Sequence, residues 1–429
     1  GGDGKPTGYE IDNSLRFNND DSAYMQYTPS SASSSRTKWT WSGWIKRGHE
    51  AVDENNDYHR FFCVDADINN YIITGFNISG AFNVTARNSN TQVLKFETGA
   101  GQFRDHSAWY HIVMAYDSTQ STARNRFRVY FNGVEDTRAL ATTPSENLEL
   151  TVLNTSEHNI GRDNHSGTTY YYDGYMSEVH FVDGTQYAAS DFGEFNDNGV
   201  WIPKEADVTY GTNGFKLEFK NSGALGTDTS GNGNNFTANN LTAQDNTTDT
   251  PTNNFCTLNP LDNYFQAATF AEGNTKITTN ASNYSASSST IGVANGKWYF
   301  EAKATDVHDS LIGVSGQTET SSTNGLGQNA NQVGYLSSGN ARKGGSDTST
   351  GYDSYTDGDI IGVALDIDNS KIYFSKNGTY QASGDPANNS NGFALTDVAS
   401  TSTGFYTPSV GDNGGSAAIW EMNFGNAPF

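Results

Sequence analysis

The stretch GDIIGVALDIDNSKIYFSKNGTY (358–380) alternates apolar and polar residues with the period of two that is typical of β-strands. The apolar face of its first half consists of Ile361, Val363, Leu365 and Ile367. A short turn at 368–369 leads to a second strand, whose apolar face carries Ile372 and Phe374. The Asn-Gly pair at 377–378 supplies the two positive-φ residues of a tight hairpin turn. We therefore predict a pair of antiparallel strands followed by a hairpin.

The N-terminal half repeats this pattern. NRFRVYFNGVE (125–135) alternates in the same way and ends in its own Asn-Gly pair, and WYHIVMAYD (109–117) is a second predicted strand just upstream. Each half also opens near a tryptophan-bearing strand, KWTWSGWIKRG (38–48) and GKWYFEAKA (296–304). Helical periodicity is nearly absent, so the sequence predicts an all-β fold with two antiparallel β-sandwiches in tandem.

Composition supports this architecture and limits the partners. A chain of 429 residues exceeds the size of a usual single core, and its 13% aromatic content is typical of packed β-structure. The net charge of −23 makes nucleic acid or an anionic membrane surface an unsuitable partner. No apolar stretch reaches the length of a membrane helix, so we expect no membrane insertion.

The predicted domain boundaries follow the polar stretches. Residues 1–9 are interpreted as an N-terminal arm and residues 10–222 as the first sandwich. Residues 223–251 contain almost no apolar side chains and are interpreted as a polar linker or surface crossing. The second sandwich is expected at 252–429.

Inside that polar segment, DTSGNGNNF (228–236) resembles the first half of a calcium-binding loop, with oxygen-bearing side chains at alternate positions. The second half of the motif is missing, because Asn239 stands where a bidentate glutamate is required. We interpret its side chains as partners of their own backbone in Asx and Ser turns. We therefore expect no metal site and no cofactor, with weak calcium binding as the remaining alternative.

Catalytic patterns are also missing from the sequence. The E-x-D-x-x-E strand motif of β-sandwich glycosidases does not occur. The nearest matches are Glu10 with Asp12, which lacks the second glutamate, and Asp366 with Asp368, which is interpreted as a turn former. His106 and His111 have no further ligand at metal-binding spacing. We therefore expect a protein that is not an enzyme.

The second half resembles the SPRY domain family over about 270–425. Besides GKWYFEAKA, the resemblance rests on four ordered motifs: IGV (312–314), YTDGDIIGVALDIDNSKIYFSKNG (355–378), FYTPSVG (405–411) and WEMNFG (420–425). The first half resembles a laminin-G-like, concanavalin A-like jelly roll of the version common in marine bacteriophage proteins. Its motifs include SLRFNNDDSAYM (14–25), HNIGRDN (158–164) and YYDGYMSEVHFVDG (171–184). The resemblance thus implies two concanavalin A-like jelly rolls in tandem.

This pairing of domains implies a bacteriophage virion protein, located at the virion surface and therefore extracellular. Many laminin-G-like domains bind calcium through an aspartate in the strand that here reads GYMSEV (174–179). Ser177 stands in place of that aspartate, which argues against this calcium site.

The functional hypothesis is recognition by loops of the second sandwich. The long polar segment 315–357 offers five candidate ligand-binding residues: Tyr335, Arg342, Lys343, Tyr352 and Tyr355. Tyrosines suit sugar rings as well as protein epitopes, and the adjacent basic pair suits an acidic group.

We expect a capsid-decoration protein, head fibre or tail fibre that binds host-surface or environmental glycans. It would contact other virion proteins and form a homo-oligomer. One alternative is a purely structural module of the virion that makes protein–protein contacts. A glycosidase with an unfamiliar site is a further alternative.

Overall fold

The computed structural model describes residues 8–48, 58–77, 79–151, 153–167, 169–262, 268–319, 321, 323–349 and 351–426. Their regular secondary structure consists of antiparallel strands and short 3₁₀ turns, which confirms the all-β prediction. The 3₁₀ turns span Ala123–Arg126, Ala189–Asp191, Ala243–Asp245, Gln381–Ser383 and Val398–Ser400. No helix in this described part of the chain has the length and apolarity that crossing a membrane requires. The chain forms two compact units, Gly1–Asn254 and Phe255–Phe429.

The first unit is built from nineteen strands within the described ranges. They are β1 (Ser14–Phe17), β2 (Tyr24–Tyr27), β3 (Lys38–Arg47), β4 (His59–Asp67), β5 (Asn70–Phe76), β6 (Phe82–Asn88), β7 (Thr91–Glu97), β8 (Trp109–Asp117), β9 (Phe127–Phe131), β10 (Val134–Glu135), β11 (Glu157–Ile160), β12 (Arg162–Asp163), β13 (Tyr170–Tyr171), β14 (Gly174–Asp183), β15 (Gly193–Phe195), β16 (Trp201–Pro203), β17 (Phe215–Leu217), β18 (Thr237–Asn239) and β19 (Asn246–Thr247).

Two large sheets enclose the core of this unit. One has the order β10-β9-β8-β3-β14-β1-β19, with β17 also paired to β14, and the other has the order β18-β2-β11-β4-β5-β6-β7. Their facing sides contribute the buried aromatic residues of the core, including Trp39, Trp41 and Phe61. The predicted tryptophan strand is thus the centre of the first sheet, because β3 pairs with both β8 and β14.

The second unit contains fourteen strands in its described part. They are β20 (Thr269–Ala271), β21 (Lys276–Thr278), β22 (Ser285–Ser288), β23 (Lys297–Asp306), β24 (Ser310–Ser315), β25 (Gln332–Leu336), β26 (Asn340–Lys343), β27 (Ser346–Ser349), β28 (Ile360–Asp366), β29 (Lys371–Lys376), β30 (Thr379–Tyr380), β31 (Phe393–Ala394), β32 (Thr407–Asp412) and β33 (Ile419–Asn423).

These strands again form two sheets around one core. The larger has the order β20-β21-β33-β23-β28-β29-β30, with β31 also paired to β29, and the smaller has the order β22-β32-β24-β25-β26-β27. The alternating residues predicted to face inward are buried, among them Ile361, Val363 and Phe374. The fold is therefore two antiparallel sandwiches, as the alternation predicted.

The two Asn-Gly turns have the geometry that their residue types predicted. The φ angles of Asn132 and Gly133 are 46° and 80°, and those of Asn377 and Gly378 are 49° and 80°. Positive φ at both central residues matches the right-handed twist of the strands on either side. At Gly133 the absence of a side chain is also required, since a Cβ there would lie 2.2 Å from the ring of Trp201.

The segment 223–251 differs from the expected linker, because it completes both sheets of the first unit. Its strand β18 pairs with β2, and its strand β19 pairs with β1. Phe236 and Leu225 are buried in the same core. The few apolar residues of the segment thus fill the core, while its backbone supplies edge strands that polar side chains tolerate. The first unit accordingly extends to Asn254 rather than to residue 222.

Candidate functional site

The smaller sheet of the second unit carries an open groove at one of its ends. Strands β22 and β24 both pair antiparallel with β32, so their carboxyl ends lie beside the start of β32. Residues that follow β22, follow β24 or precede β32 therefore meet at the same place. Ser289, Gln317 and Phe405 are examples from the three segments.

The groove has a volume of about 370 Å³, which is within the range of small-molecule sites. Its lining combines hydroxyl and amide groups with two apolar side chains and one carboxylate. The lining residues are Asn259, Leu261, Asp262, Ser288, Ser289, Thr290, Gly292, Gln317, Thr318, Thr403, Phe405 and Thr407. This composition suits a neutral, hydroxyl-rich ligand better than a purely apolar one.

Phe405 and Asp262 give the groove its chemical character. The Phe405 ring is 40% exposed and lies against Gly292, where a Cβ would be only 2.2 Å from the ring. Burial raises the pKa of Asp262, although its hydrogen bonds with Ser288 act in the opposite direction. A flat apolar ring beside a carboxyl oxygen can pack against a sugar ring and accept a hydrogen bond from its hydroxyl groups.

The first unit has a larger groove of about 560 Å³, formed by one segment of the chain. Its lining lies within 222–227 and 235–243 and consists mainly of Gly, Ala, Leu and Thr residues. Two of its hydroxyl groups serve local turns, since Thr227 donates to the Ala224 carbonyl and Thr242 hydrogen-bonds with Asp245. We therefore regard the groove of the second unit as the stronger candidate.

The segment 315–357, expected to be a polar binding loop, instead contains β25, β26 and β27. This placement removes two candidate binding residues from the surface. Tyr335 is fully buried and Tyr355 is 2% exposed. The Tyr335 hydroxyl donates to the main-chain carbonyl of Asp353, and the Tyr355 hydroxyl donates to that of Ser310 over 2.8 Å. The prediction that these two tyrosines bind a ligand is wrong, because their rings pack in the core and their hydroxyl groups hold the backbone.

Arg342 is also occupied inside the unit. It pairs with Asp347 across the β26–β27 ladder, with Nε 2.5 Å from one carboxylate oxygen and Nη2 3.0 Å from the other. Its remaining Nη1 group donates to Asn413, and the residue is buried. The basic spot expected at Arg342 is thus neutralised by a neighbouring carboxylate.

Tyr352 and Lys343 are half-buried at the edge of the same unit. The Tyr352 ring packs against Tyr335 and Phe374, and burial raises its pKa to about 12. The Lys343 ammonium group donates to the main-chain carbonyl of Ala394 over 3.0 Å, and burial lowers its pKa. Ligand binding by these two residues stays a prediction.

Sequence analysis missed the groove because its residues come from four distant segments. Phe405 lies in FYTPSVG, where strand alternation indicated only a closing strand. Asp262 and Gln317 have no pattern that separates them from other polar residues. The available signal was an aromatic residue two positions before a strand, with Thr403 and Thr407 two positions away on either side.

The calcium-like stretch 228–236 is a network of local turns, as its interpretation predicted. The Asp228 carboxylate accepts main-chain N–H groups from Lys216, Ser230 and Asn234 at 2.8–2.9 Å, and it also accepts the Ser230 hydroxyl. The Asn232 amide donates to two main-chain carbonyls. The oxygens that resembled metal ligands therefore organise the backbone.

Three other predicted polar positions have structural roles. Ser177 donates to the Asn13 carbonyl over 2.7 Å, and Asp366 accepts the N–H of Asn369 over 3.1 Å at its turn. His111 is buried between strands and hydrogen-bonds with Ser42. Burial lowers the pKa of His111 to about 3, which keeps the ring neutral at ordinary pH.

Family models match both halves of the chain. Residues 19–189 match the concanavalin A-like lectin/glucanases superfamily, and residues 297–425 match the SPRY domain. No curated protein sequence matches the chain.

Solved structures with a similar arrangement share little sequence. The SPRY domain of human HERC1 has 16% identity and a TM-score of 0.28, covering 35% of this chain and 89% of its own. The SAP-like pentraxin of Limulus polyphemus has 15% identity and a TM-score of 0.29, covering 42% and 80%. Stonustoxin has 17% identity and a TM-score of 0.30, covering 39% and 27%.

The domain models agree with the two sandwiches and with the strand patterns in each half. The chain therefore carries a concanavalin A-like domain followed by a SPRY domain.

Proposed function

We propose that the protein is a non-enzymatic recognition protein of a virion surface that binds glycans through the groove of its SPRY unit. The observation that carries the proposal is the lining of this groove, in which the exposed Phe405 ring lies among hydroxyl and amide groups. A sugar presents a weakly apolar ring face together with many hydroxyl groups. The lining offers partners for both.

The carboxylate content of the groove supports binding rather than hydrolysis. Asp262 is the one carboxylate among the described residues that line it. Glycoside hydrolases generally use two carboxylates on either side of the scissile bond. A single half-buried carboxyl group suits a hydrogen-bond acceptor for a bound sugar.

The virion location is supported by the pairing of the two domains in one chain, which resembles bacteriophage appendage proteins. The net charge of −23 keeps such a protein soluble and unsuited to nucleic acid. A capsid decoration, head fibre or tail fibre would act as a homo-oligomer. Several copies of a weak sugar site would then bind a host-surface or environmental glycan together.

A glycan array with the purified full chain tests the binding proposal. We expect binding to a subset of bacterial surface or environmental polysaccharides, weakened about 10-fold in Phe405→Ala through loss of the stacking ring. Trp298→Ala is the matched control, because Trp298 is 51% exposed and does not line the groove. Absence of binding to every glycan, or equal loss in both variants, would overturn the assignment of the groove.

A structural role within the virion is the second candidate, and two exposed aromatic residues favour it. Trp298 and Tyr299 are each 51% exposed although they are neighbours on β23. Such residues are enriched at protein interfaces. Imaging of the intact particle separates the two roles, since adhesion requires a groove open to solvent and a structural module requires Trp298 and Tyr299 to be covered by another virion protein.

A further inference from the structure

The outer face of the seven-stranded sheet in the first unit holds a group of charged side chains that the proposed function does not use. Asp65 lies near the end of β4, and the hairpin formed by β12 and β13 packs on that strand. The hairpin brings Asp163 and His165 to Asp65. One ligand atom from each of the three residues lies within 4.8 Å of the other two.

Burial of this group leaves carboxylate oxygens without hydrogen bonds. Asp163 is fully buried, and its Oδ1 accepts the His165 Nδ1 over 2.5 Å and the main-chain N–H of His165 over 3.1 Å. Its Oδ2 and the Oδ1 of Asp65 accept no hydrogen bond from any described residue. A buried carboxylate oxygen without a donor is costly, so it requires a proton or a cation.

Two arginines lie near the cluster, and Arg60 forms an ion pair with it. Arg60 donates to Asn83 over 2.7 Å and stacks on Tyr58, which leaves its Nε 3.8 Å from Asp163 Oδ2. That distance is too long for a hydrogen bond. Arg60 therefore reduces the negative charge at the cluster without satisfying the oxygen.

Arg162 has its own hydrogen-bonding partners. Its guanidinium pairs with Glu157 over 2.7 Å, hydrogen-bonds with Asn159 and stacks over the ring of Tyr24. The cluster and its surroundings contain the carboxylates of Asp65, Asp163 and Glu157 and the guanidinium groups of two arginines. When all five groups are ionised, one negative charge is in excess.

The electrostatic environment agrees with a missing positive charge. Burial, followed by the charge of Asp163, raises the pKa of Asp65 to about 8. A fully buried and a half-buried carboxyl group so close together cannot both ionise cheaply. A metal ion reverses this situation, because it favours the ionised form of both groups.

We propose that Asp65, Asp163 and His165 bind one divalent transition-metal ion of the class of Zn²⁺ or Mn²⁺. Carboxylate oxygens together with an imidazole nitrogen are ligands for such ions, whereas Ca²⁺ prefers oxygen ligands throughout. The site lies apart from the calcium position considered at Ser177 and from the turn around Asp228. Its ligands join β4 to the β12–β13 hairpin, so the ion would fix that hairpin on the sheet.

The test uses the full chain, freed of any purification tag and of metal by chelation. Equilibrium dialysis and calorimetry with Zn²⁺, Mn²⁺ and Ca²⁺, each alone at pH 8, measure stoichiometry and affinity. We expect one equivalent of Zn²⁺ or Mn²⁺, with affinity at least 10-fold lower in Asp65→Asn and in His165→Gln. The second variant changes a partly exposed side chain, so it keeps the test valid if Asp65→Asn is poorly folded.

Asp306→Asn is the matched control, because Asp306 and His308 form an exposed carboxylate–imidazole pair, 3.2 Å apart, in the other unit. It should leave the affinity unchanged. Binding of Ca²⁺ alone, absence of stoichiometric binding, or equal affinity in the wild-type chain and both site variants would overturn the proposal. None of these results bears on glycan binding in the second unit, which is measured separately.

Discussion

Two aspartates of the first unit lie in polar surroundings that could suit a metal, yet only one of them has a carboxylate oxygen that accepts no hydrogen bond. Asp228, in the stretch with calcium-loop spacing, accepts three main-chain N–H groups and one hydroxyl. Asp163, in a stretch without a ligand motif, is fully buried and has one oxygen that accepts no hydrogen bond. The spacing of ligand-type residues in a sequence therefore predicts where oxygen atoms lie close together. A metal site also requires that these oxygens are not already accepting hydrogen bonds.

The difference arises from the distance over which each group is assembled. Asp228 finds most of its donors within six residues, where an Asx turn forms from local backbone geometry. Asp163 meets Asp65 only because the β12–β13 hairpin folds onto β4. A turn formed by neighbouring residues supplies main-chain N–H donors together with the carboxylate that accepts them. Packing between distant strands can instead place two carboxylates side by side.

The largest expected effect is the loss of the Asp228 carboxylate. Asp228→Ala would leave three main-chain N–H groups without their acceptor, and each unsatisfied buried group costs about 1 kcal/mol or more. We expect the first unit to lose about 3 kcal/mol of stability. Urea unfolding followed by tryptophan fluorescence measures this, since five of the seven tryptophans precede residue 255.

Asp67→Ala is the control for that measurement. Asp67 also caps a turn, where it accepts the Asn69 N–H over 2.7 Å, but it is exposed to solvent. Its loss should cost less than about 1 kcal/mol, because water replaces the missing partner. Equal losses in the two variants would contradict a special role of the Asp228 network.

A smaller effect is expected from Asp65 in the metal-free protein. With a folded pKa of about 8 against an ordinary value of 3.8, the native state keeps a proton that the unfolded chain releases. The contribution of Asp65 to stability therefore falls as pH rises, by about 2 kcal/mol between pH 6 and pH 8. Asp65→Asn removes the titrating group and should remove this decline, as measured by urea unfolding at several pH values.

Asp67→Asn should keep the wild-type pH dependence, since this exposed aspartate lies two positions further along the same strand. Equal pH dependence of stability in the wild-type chain and in Asp65→Asn between pH 6 and pH 8 would show that Asp65 is ionised in the native state. The cluster would then already hold a compensating positive charge.

The smallest expected effect concerns the backbone of the Asp228 turn. Gly233 has a φ angle of 76°, and a Cβ there would meet no atom within 4 Å. Gly233→Ala should therefore cost only the strain of a left-handed residue, about 1 kcal/mol. Gly99→Ala, which has equal space but no positive φ, should change the unfolding midpoint little. A neutral Gly233→Ala would mean that the turn relaxes at no cost.

The fold was predictable because alternation and Asn-Gly turns are local properties of the chain. The two errors of detail have one cause. Segments 223–251 and 315–357 are polar and were interpreted as surface, yet both contribute strands to sheets. Of these strands, β18, β19 and β27 lie at sheet edges, where a strand needs backbone hydrogen bonds and little apolar surface, so their composition resembles that of loops.

The predicted site shows the same limit at the level of single residues. Tyr335 and Tyr355 have the residue type of a binding surface, but both rings are buried. Tyr335 lies in β25, and whether a strand tyrosine faces the core or the solvent depends on the register of its sheet; Tyr355 lies in a connection, where only the packing of the folded unit decides its burial. Phe405 was missed for the opposite reason, since it precedes a strand and stays exposed.

The sequence by itself determined the two sandwiches, their hairpin turns and the local network around Asp228, because each of these depends on residues within one or two strands. Only the tertiary structure decided which polar groups are left for a ligand. The groove around Phe405 and the pairing of Asp65 with Asp163 both require strands that are distant in the chain to lie side by side. Their chemistry follows from burial and from competing hydrogen bonds, and neither quantity is a property of a short stretch of sequence.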